Sequence, residues 1–390
     1  MTVRVAVVIS HPIQHFCPQY ESWAKLSDVD LKVFFAARIG MESYFDPDFG
    51  QDVRWQGLRL NFEHEFLPGA EERTTSVGIE AEGLDAALAA FSPDLVIAYG
   101  YTVPLQKRAI RWANANSVTL AMISDAELRT PRPIWKRAAK AVLVRPWIQR
   151  FDAFLTVGDG NEAYYRTYGA KDIQFFRSGF PIDTIAFDGA LADREARRAQ
   201  MRAALGIPDD HLVLMSVGKL IGRKRPQDLV RLANRMTGQK ITVILAGSGP
   251  DEASLRAQTQ TEGAGGVIFA GFVQPTDLLD YYLATDVYMH PAEVDRHPLS
   301  VTEATYCGIP AIVSERVGSF GPSDDLQPGV NGFVHNLGDL AEMEQCVRRL
   351  MEGDLRNQMS GASVRIAHAG QARAHGGALQ ALMRATGLVD

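Results

Sequence analysis

Short runs of apolar, largely β-branched residues recur along the chain, each followed by a longer segment of helical period. This alternation constrains the fold more than any other feature. In the first half the runs are 3–9, 31–35, 95–99, 118–123, 153–157 and 173–176; in the second they are 212–217, 241–246, 267–270, 287–290 and 311–314. They are continuous rather than alternating, as strands covered on both faces of a parallel sheet are. Helix-length connections between them predict βαβ units. Two such series fall within 390 residues, and ~150 residues per domain makes that two domains. The segment 188–202 between them is polar, charged and rich in Ala and Arg, so the linker is placed near 187–194, with domains 1–187 and 188–372. The expected class is α/β, with two Rossmann-like doubly wound domains facing an interdomain cleft; such sheets take ligands beyond the carboxyl ends of their strands.

Composition narrows the functional classes. With 46% hydrophobic and 22% charged residues the chain is globular, not disordered. Its longest apolar stretches, such as 5–9 and 141–144, are too short to span a bilayer. The start Met1-Thr2-Val3-Arg4-Val5 runs straight into a strand, so no secretory leader is expected. Cys17, Cys307 and Cys346 are odd in number and share no metal-like spacing, which favours a reducing, cytoplasmic setting over disulfides or structural zinc. A net charge of −6 excludes a generally basic nucleic-acid binder. Each half carries −3, but from Lys107 to Arg150 ten cations face only Asp125 and Glu127, giving +8 beside Trp112, Trp135 and Trp147. Residues 129–150 read as a helix whose cations and tryptophans suit an anionic membrane surface, a positive wall of a binding cleft, or solvent.

Chemistry concentrates in the second half. The segment Pro291 to Ser314 follows the run 287–290. Pro298 suits the first turn of a helix over 299–307 that stops at Gly308. The N–H groups of Leu299 and Ser300 would then form an anion site fit for a diphosphate, with Asp295 in the loop before the helix and Glu303 inside it. A capped surface helix with incidental acids fits the same pattern. After 212–217 comes Gly218-Lys219-Leu220-Ile221-Gly222-Arg223-Lys224-Arg225, whose four cations would neutralise a diphosphate leaving group or simply form a solvated turn. Gly247-Ser248-Gly249 follows the next run and by itself reads as a turn. Neither a dinucleotide fingerprint nor a Gly-Lys-Ser/Thr phosphate loop occurs, which argues against a dehydrogenase.

Read together, these segments resemble glycosyltransferase family 4, retaining enzymes of the GT-B fold. The family pattern is a Gly-Arg-Leu loop with a later Lys, a Gly-x-Gly turn, a Gly-Phe/Tyr-Val segment, and two acids leading into Glu-Ala-x-x-x-Gly-x-Pro. Here these stand as Gly218-Lys219-Leu220 with Lys224, Gly247-Ser248-Gly249, Gly271-Phe272-Val273, and Asp295 with Glu303 before Gly308-Ile309-Pro310. The match runs over about 130 residues and continues through Pro328 to Phe333. The resemblance implies that Lys219, Arg223 and Lys224 hold the donor diphosphate, with Gly218, Gly247, Leu299 and Ser300 around it. It implies that Glu303 holds the ribose hydroxyls, that Asp295 meets the donor sugar, and that Gly271, Phe272 and Val273 lie near the base. Lys219 stands for the usual Arg, Asp295 for Glu, and His297-Pro298 for Phe-Gly, departures that bear on which sugar is taken.

The first half resembles the family less and is expected to hold the acceptor. Ser10-His11-Pro12-Ile13-Gln14-His15 resembles the opening of one branch of these transferases, as does Tyr44-Phe45-Asp46-Pro47-Asp48-Phe49-Gly50. His11, Gln14, His15, Tyr101 and Glu127 are the acceptor-side candidates, although a lone buried His is more often structural. Where many relatives carry a His near the donor sugar, this chain has Ser124-Asp125-Ala126-Glu127, so either Asp125 or Glu127 replaces its contact or the acceptor proton leaves by another route. The resemblance implies a hexose-type transfer from a UDP- or GDP-sugar to a glycan, lipid-linked or small-molecule acceptor. It also implies no tightly bound cofactor and no metal, with the leaving diphosphate assisting front-face attack and Asp295, Lys219, Lys224, His11 and Asp125 as catalytic candidates. The family further places the last helix, 373–390, back on the first domain. A nucleotide-sugar epimerase of the same architecture and a non-catalytic nucleotide-sugar-binding subunit are the alternatives.

Overall fold

In the computed structural model, which describes residues 2–41, 44–46, 51–53, 58–73, 75–129, 133–261 and 266–390, the apolar runs form two separate parallel sheets. One compact unit comprises Met1–Tyr44, Val53–Asp183 and Gly370–Asp390; the other comprises Phe45–Asp52 and Thr184–Ala369.

The strands of the first half are β1 (Val3–Ile9), β2 (Val29–Phe35), β3 (Tyr44–Asp46), β4 (Gln51–Val53), β5 (His64–Phe66), β6 (Leu95–Tyr99), β7 (Thr119–Ile123), β8 (Ala153–Thr156) and β9 (Phe175–Arg177). Seven of them make a sheet ordered β5-β2-β1-β6-β7-β8-β9. The short β3 and β4 pair separately, and their hairpin groups with the second unit. Burial of the β1 and β8 side chains on both faces accounts for their unbroken apolar sequences. Helices including Leu84–Phe91 and Pro104–Ala115 cover the sheet through Leu88, Leu105 and Ile110, which meet Phe34, Met122 and Phe154 in one core. The C-terminal segment also belongs to this unit. The Ala374 carbonyl accepts from Gln19 Nε2 at 2.8 Å and Trp23 Nε1 at 3.0 Å, and Gln371 bonds the backbone of Phe180 and Ile182 at 2.9 Å each.

The second sheet holds β10 (Leu212–Val217), β11 (Ile241–Ala246), β12 (Val267–Gly271), β13 (Val287–His290), β14 (Ala311–Ser314) and β15 (Gly332–His335), in the order β12-β11-β10-β13-β14-β15. Its core joins Leu214, Leu229, Val243, Met289, Ile312, Met343 and Val347. Strand order reverses between β1 and β6 in the first sheet and between β10 and β13 in the second. Such a reversal leaves the following loops diverging, which opens a crevice at the carboxyl edge.

Two sequence-based boundaries change. The segment 187–194 is not an extended linker: helices Thr184–Ala192 and Arg194–Ala204 run through it, and the units divide after Asp183. Its arginines are paired within the unit: Arg198 and Arg202 each bond Asp286 at 2.6 Å and Arg197 bonds Asp280 at 2.5 Å. The run 173–176 splits into a single turn, Asp172–Gln174, and β9, because Gln174 turns its amide to the Phe151 carbonyl. Among the described residues no helix is long and apolar enough to cross a membrane.

Candidate functional site

The loops after β10, β11, β12 and β13 meet at the carboxyl edge of the second sheet. Gly218 leaves β10 with φ 143° and Gly247 leaves β11 with φ 153°. A Cβ on Gly247 would lie 1.9 Å from the Gly218 carbonyl oxygen, and one on Gly249 2.5 Å from that of Leu220. The Gly-Ser-Gly turn is therefore explained by close packing of two loops. Leu220 N donates to Ser248 O at 2.9 Å across the same seam. Past it, the turn Gly222–Lys224 ends at Arg225, whose φ of 54° turns the chain into helix Pro226–Arg235.

The acid loop is strapped to this basic turn. Glu293 N donates to Arg223 O at 2.8 Å, and Gly318 N to Asp295 O at 2.9 Å. Lys224 Nζ and His290 Nε2 both bond Asp295 Oδ2, the latter at 2.7 Å. Burial acts to raise the Asp295 carboxyl, but the His290 hydrogen bond and the Lys224 charge overcome it and hold the group well below the usual carboxylate range. Burial lowers the His290 pKa in spite of Asp295, so the pair stands as carboxylate and neutral imidazole. Lys219 Nζ meets both oxygens of Asp46, at 2.9 and 3.0 Å, on β3.

Pro298 is the cap of helix Leu299–Tyr306, one residue outside it rather than in its first turn, and Gly308 follows the helix with φ 71°. The first N–H groups of any helix lack intrahelical acceptors, which leaves Leu299 and Ser300 facing outward along the axis. Inside the helix, burial raises the Glu303 carboxyl to about 7, opposed by a 2.7 Å hydrogen bond from Tyr282 OH. His297 is buried and faces Asp325 Oδ2 at 3.1 Å, which Thr302 also bonds at 2.6 Å. Gly271, with φ 69°, Phe272 and Val273 leave β12 at the same edge, partly buried.

The corresponding edge of the first sheet collects the other candidates. After β1, Ser10 Oγ meets His11 Nδ1 at 2.9 Å, and burial lowers the pKa of His11. His15 packs on Phe16 and Phe180 at 4.4 and 5.4 Å, and burial lowers its pKa to about 4. Gln14 lies between them, partly buried. After β6, Tyr101 OH lies 2.5 Å from Tyr164 OH; after β7, Ser124 Oγ lies 2.8 Å from Tyr165 OH. Asp125 is half-buried in that loop, and Glu127 Oε2 lies 3.6 Å from Arg129 Nε. Residues 130–132 of the basic stretch lie outside the described residues, but helix Ile134–Ile148 exposes Trp135, Val142 and Leu143 at 68, 74 and 72%.

Each unit thus gathers its sequence-identified residues at one carboxyl edge. His290, Tyr288, Tyr282 and Asp46 were not among them. A polar residue closing an apolar strand just before the acid loop was the available signal for His290; Asp46 stood in the segment 44–50 that carries the resemblance, with no role assigned to it.

Two parallel-sheet Rossmann-like domains flanked by helices define the GT-B fold of glycosyltransferases. A glycosyltransferase from Rickettsia africae superposes with a TM-score of 0.71 over 99% of both chains at 8% identity. Anabaena Alr3699/HepE in complex with UDP gives 0.70, covering 100% of this chain and 99% of that one at 14% identity. Residues 197–364, which include the basic turn and the acid loop, match the family model "Glycosyl transferases group 1". The D-inositol 3-phosphate glycosyltransferase of Mycobacterium tuberculosis is 30% identical over 242 residues, covering 55% of this chain and 50% of that protein. The chain spans about half the length of the curated relatives it matches.

Proposed function

We propose that this protein is a retaining, metal-independent glycosyltransferase of family 4 that moves a hexose-type sugar from a nucleoside-diphosphate sugar to a glycan, lipid-linked or small-molecule acceptor. The observation that carries this reading is the convergence, at the strand-order reversal of the second sheet, of Lys224, Asp295 and the start of helix Leu299–Tyr306. Lys219, Lys224, Arg223 and the Leu299 and Ser300 N–H groups supply positive charge for a departing diphosphate, the work a divalent ion does elsewhere. Gly218 and Gly247 keep the backbone close beneath it, Glu303 takes the ribose hydroxyls, and Gly271, Phe272 and Val273 flank the base. Asp295 takes a sugar hydroxyl, and His297 braces the loop through Asp325. The sugar C1–O bond to phosphate breaks as the acceptor oxygen bonds C1 from the same face, and the acceptor proton passes to the leaving phosphate oxygen. No protein nucleophile is required.

UDP or GDP is the favoured nucleotide; two of the solved GT-B structures with this fold are described as UDP and UDP-glucose complexes. His11, Gln14, His15, Tyr101, Asp125 and Glu127 receive the acceptor. The exposed Trp135, Val142 and Leu143, on a helix that also carries Arg145, support a peripheral contact with an anionic, cytoplasmic membrane face. A thermal-shift panel of UDP-, GDP-, ADP- and dTDP-sugars tests the reading: one donor should raise the melting temperature and be slowly hydrolysed without acceptor. Silence from every donor sinks it. Co-sedimentation with phosphatidylglycerol vesicles, lost when Trp135 and Leu143 become Ser, tests the membrane contact; equal sedimentation of both forms removes it.

A further inference from the structure

The acid loop is held from beneath by a residue that the family pattern does not mark. His290 is the last residue of β13, its side chain 3% exposed, and its Nε2 lies 2.7 Å from Asp295 Oδ2. Its other nitrogen, Nδ1, lies 3.3 Å from Tyr288 OH, and that phenol donates a 2.6 Å hydrogen bond to Ser300 Oγ. Ser300 is the second residue of helix Leu299–Tyr306. The chain of contacts therefore runs from the first turn of that helix, through strand β13, to the carboxylate of the loop and on to Lys224. Every group in it is supplied by the second unit.

Both donors to Asp295 converge on Oδ2. Among the described residues none donates to Oδ1, while the side chain keeps 18% exposure. A carboxylate gripped through one oxygen has its plane set and offers the other as an acceptor. A lysine alone would not set that plane, because an ammonium on a flexible stem is a point charge with rotating donors. The imidazole is a rigid planar donor, buried beside the Tyr288 ring with centroids 6.2 Å apart.

We propose that His290 is a positioning residue for the donor sugar: it holds Asp295 with Oδ1 turned to a sugar hydroxyl and registers that oxygen against the diphosphate-facing turn of helix Leu299–Tyr306. This rests on the transferase reading above and adds to it the group that orients the sugar separately from the nucleotide.

The test separates the sugar from the nucleotide. Calorimetry is run with UDP and with UDP-glucose, or with GDP and GDP-mannose if wild type prefers guanine, on wild type, His290→Phe and His290→Gln. The quantity read is the ratio of the two dissociation constants, alongside kcat and KM for donor hydrolysis. His290→Phe should leave nucleoside-diphosphate affinity within ~3-fold, weaken the nucleotide sugar ~10-fold and lower kcat by ~10- to 100-fold. His290→Gln keeps an N–H donor and should recover most of the ratio and of kcat. An unchanged ratio in folded His290→Phe overturns the proposal, as does equal weakening of both probes in a folded His290→Gln. Wild type that binds neither pair overturns the transferase reading and this proposal with it; wild type that binds while the ratio stays fixed overturns this proposal alone.

Discussion

The carboxyl edges of the two sheets are built on the same plan and furnished with different chemistry. At the second, ionised groups are matched one against another: Lys224 with Asp295, Lys219 with Asp46, and Asp295 held ionised despite its burial. At the first, neutral rings and hydroxyls predominate among the candidates: His11 and His15 with burial-lowered pKa values, the Tyr101–Tyr164 pair, and Ser124 on Tyr165, beside Asp125 and the Glu127–Arg129 pair. A diphosphate needs fixed positive charge that can be handed from internal carboxylates to the ligand. A polyhydroxyl acceptor needs aromatic faces and neutral hydrogen-bonding groups. Elsewhere in the first unit, Lys107 and Arg150 cover Trp147 at 5.6 and 4.7 Å. The lesson is that sheet topology places a site while the loop residues decide its ligand.

The sharpest way to break this comparison is Lys224→Ala. It strips a phosphate contact and leaves Asp295 without its cation, so kcat/KM for the donor should fall ~10³-fold, read by steady-state donor hydrolysis. A fall under tenfold would mean that the second edge is not an anion site. Next comes Asp295→Ala, expected to cost ~10²-fold in turnover while calorimetry still detects nucleotide binding; binding and activity lost together would count against the sugar-contact role.

Glu303 gives a pH signature. Its carboxyl is raised to about 7 by burial, whereas an unfolded Glu titrates near ~4.3. The stability contributed by its proton is complete below the unfolded value and is lost as pH rises through about 7. Binding of a ribose diol favours the carboxylate, so affinity for a nucleotide sugar, whose diphosphate does not titrate here, should rise ~10-fold across the unit either side of that value. Glu303→Gln should bind with a flat pH profile; an unchanged slope would remove Glu303 from the ribose. The smallest effect belongs to the first edge. His11→Ala should slow transfer to acceptor by ~3- to 10-fold and leave donor hydrolysis unchanged, whereas equal losses in both assays would erase the division of labour between the units.

Much of this was legible in the residues. Unbroken apolar runs separated by helix-length segments could pack only as parallel sheets covered on both faces, and the spacing from Gly218 to Pro310 marked the basic turn and the acid loop. Less legible were features whose cause is distant in sequence. The arginines of helix Arg194–Ala204 read as part of a polar, charged linker, because their acceptors, Asp280 and Asp286, come more than eighty residues later. The Gly-Ser-Gly segment read as a plain turn, and its tighter constraint, the Gly218 carbonyl 1.9 Å from a Cβ at Gly247, exists only once β10 and β11 are paired.

Local pattern therefore determined the strands, the glycine-ended helix Leu299–Tyr306 and the identity of the charged loops, since these depend on side-chain period and backbone freedom within a few residues. Tertiary structure alone decided which charges meet. Lys219 finds Asp46 across 173 residues and Lys224 finds Asp295 across 71. His290 reads in sequence as one polar residue ending an apolar strand, and only the packed loop puts its imidazole under the Asp295 carboxylate. Electrostatic partners are set by distance in space, which covalent order does not encode until the sheets have formed.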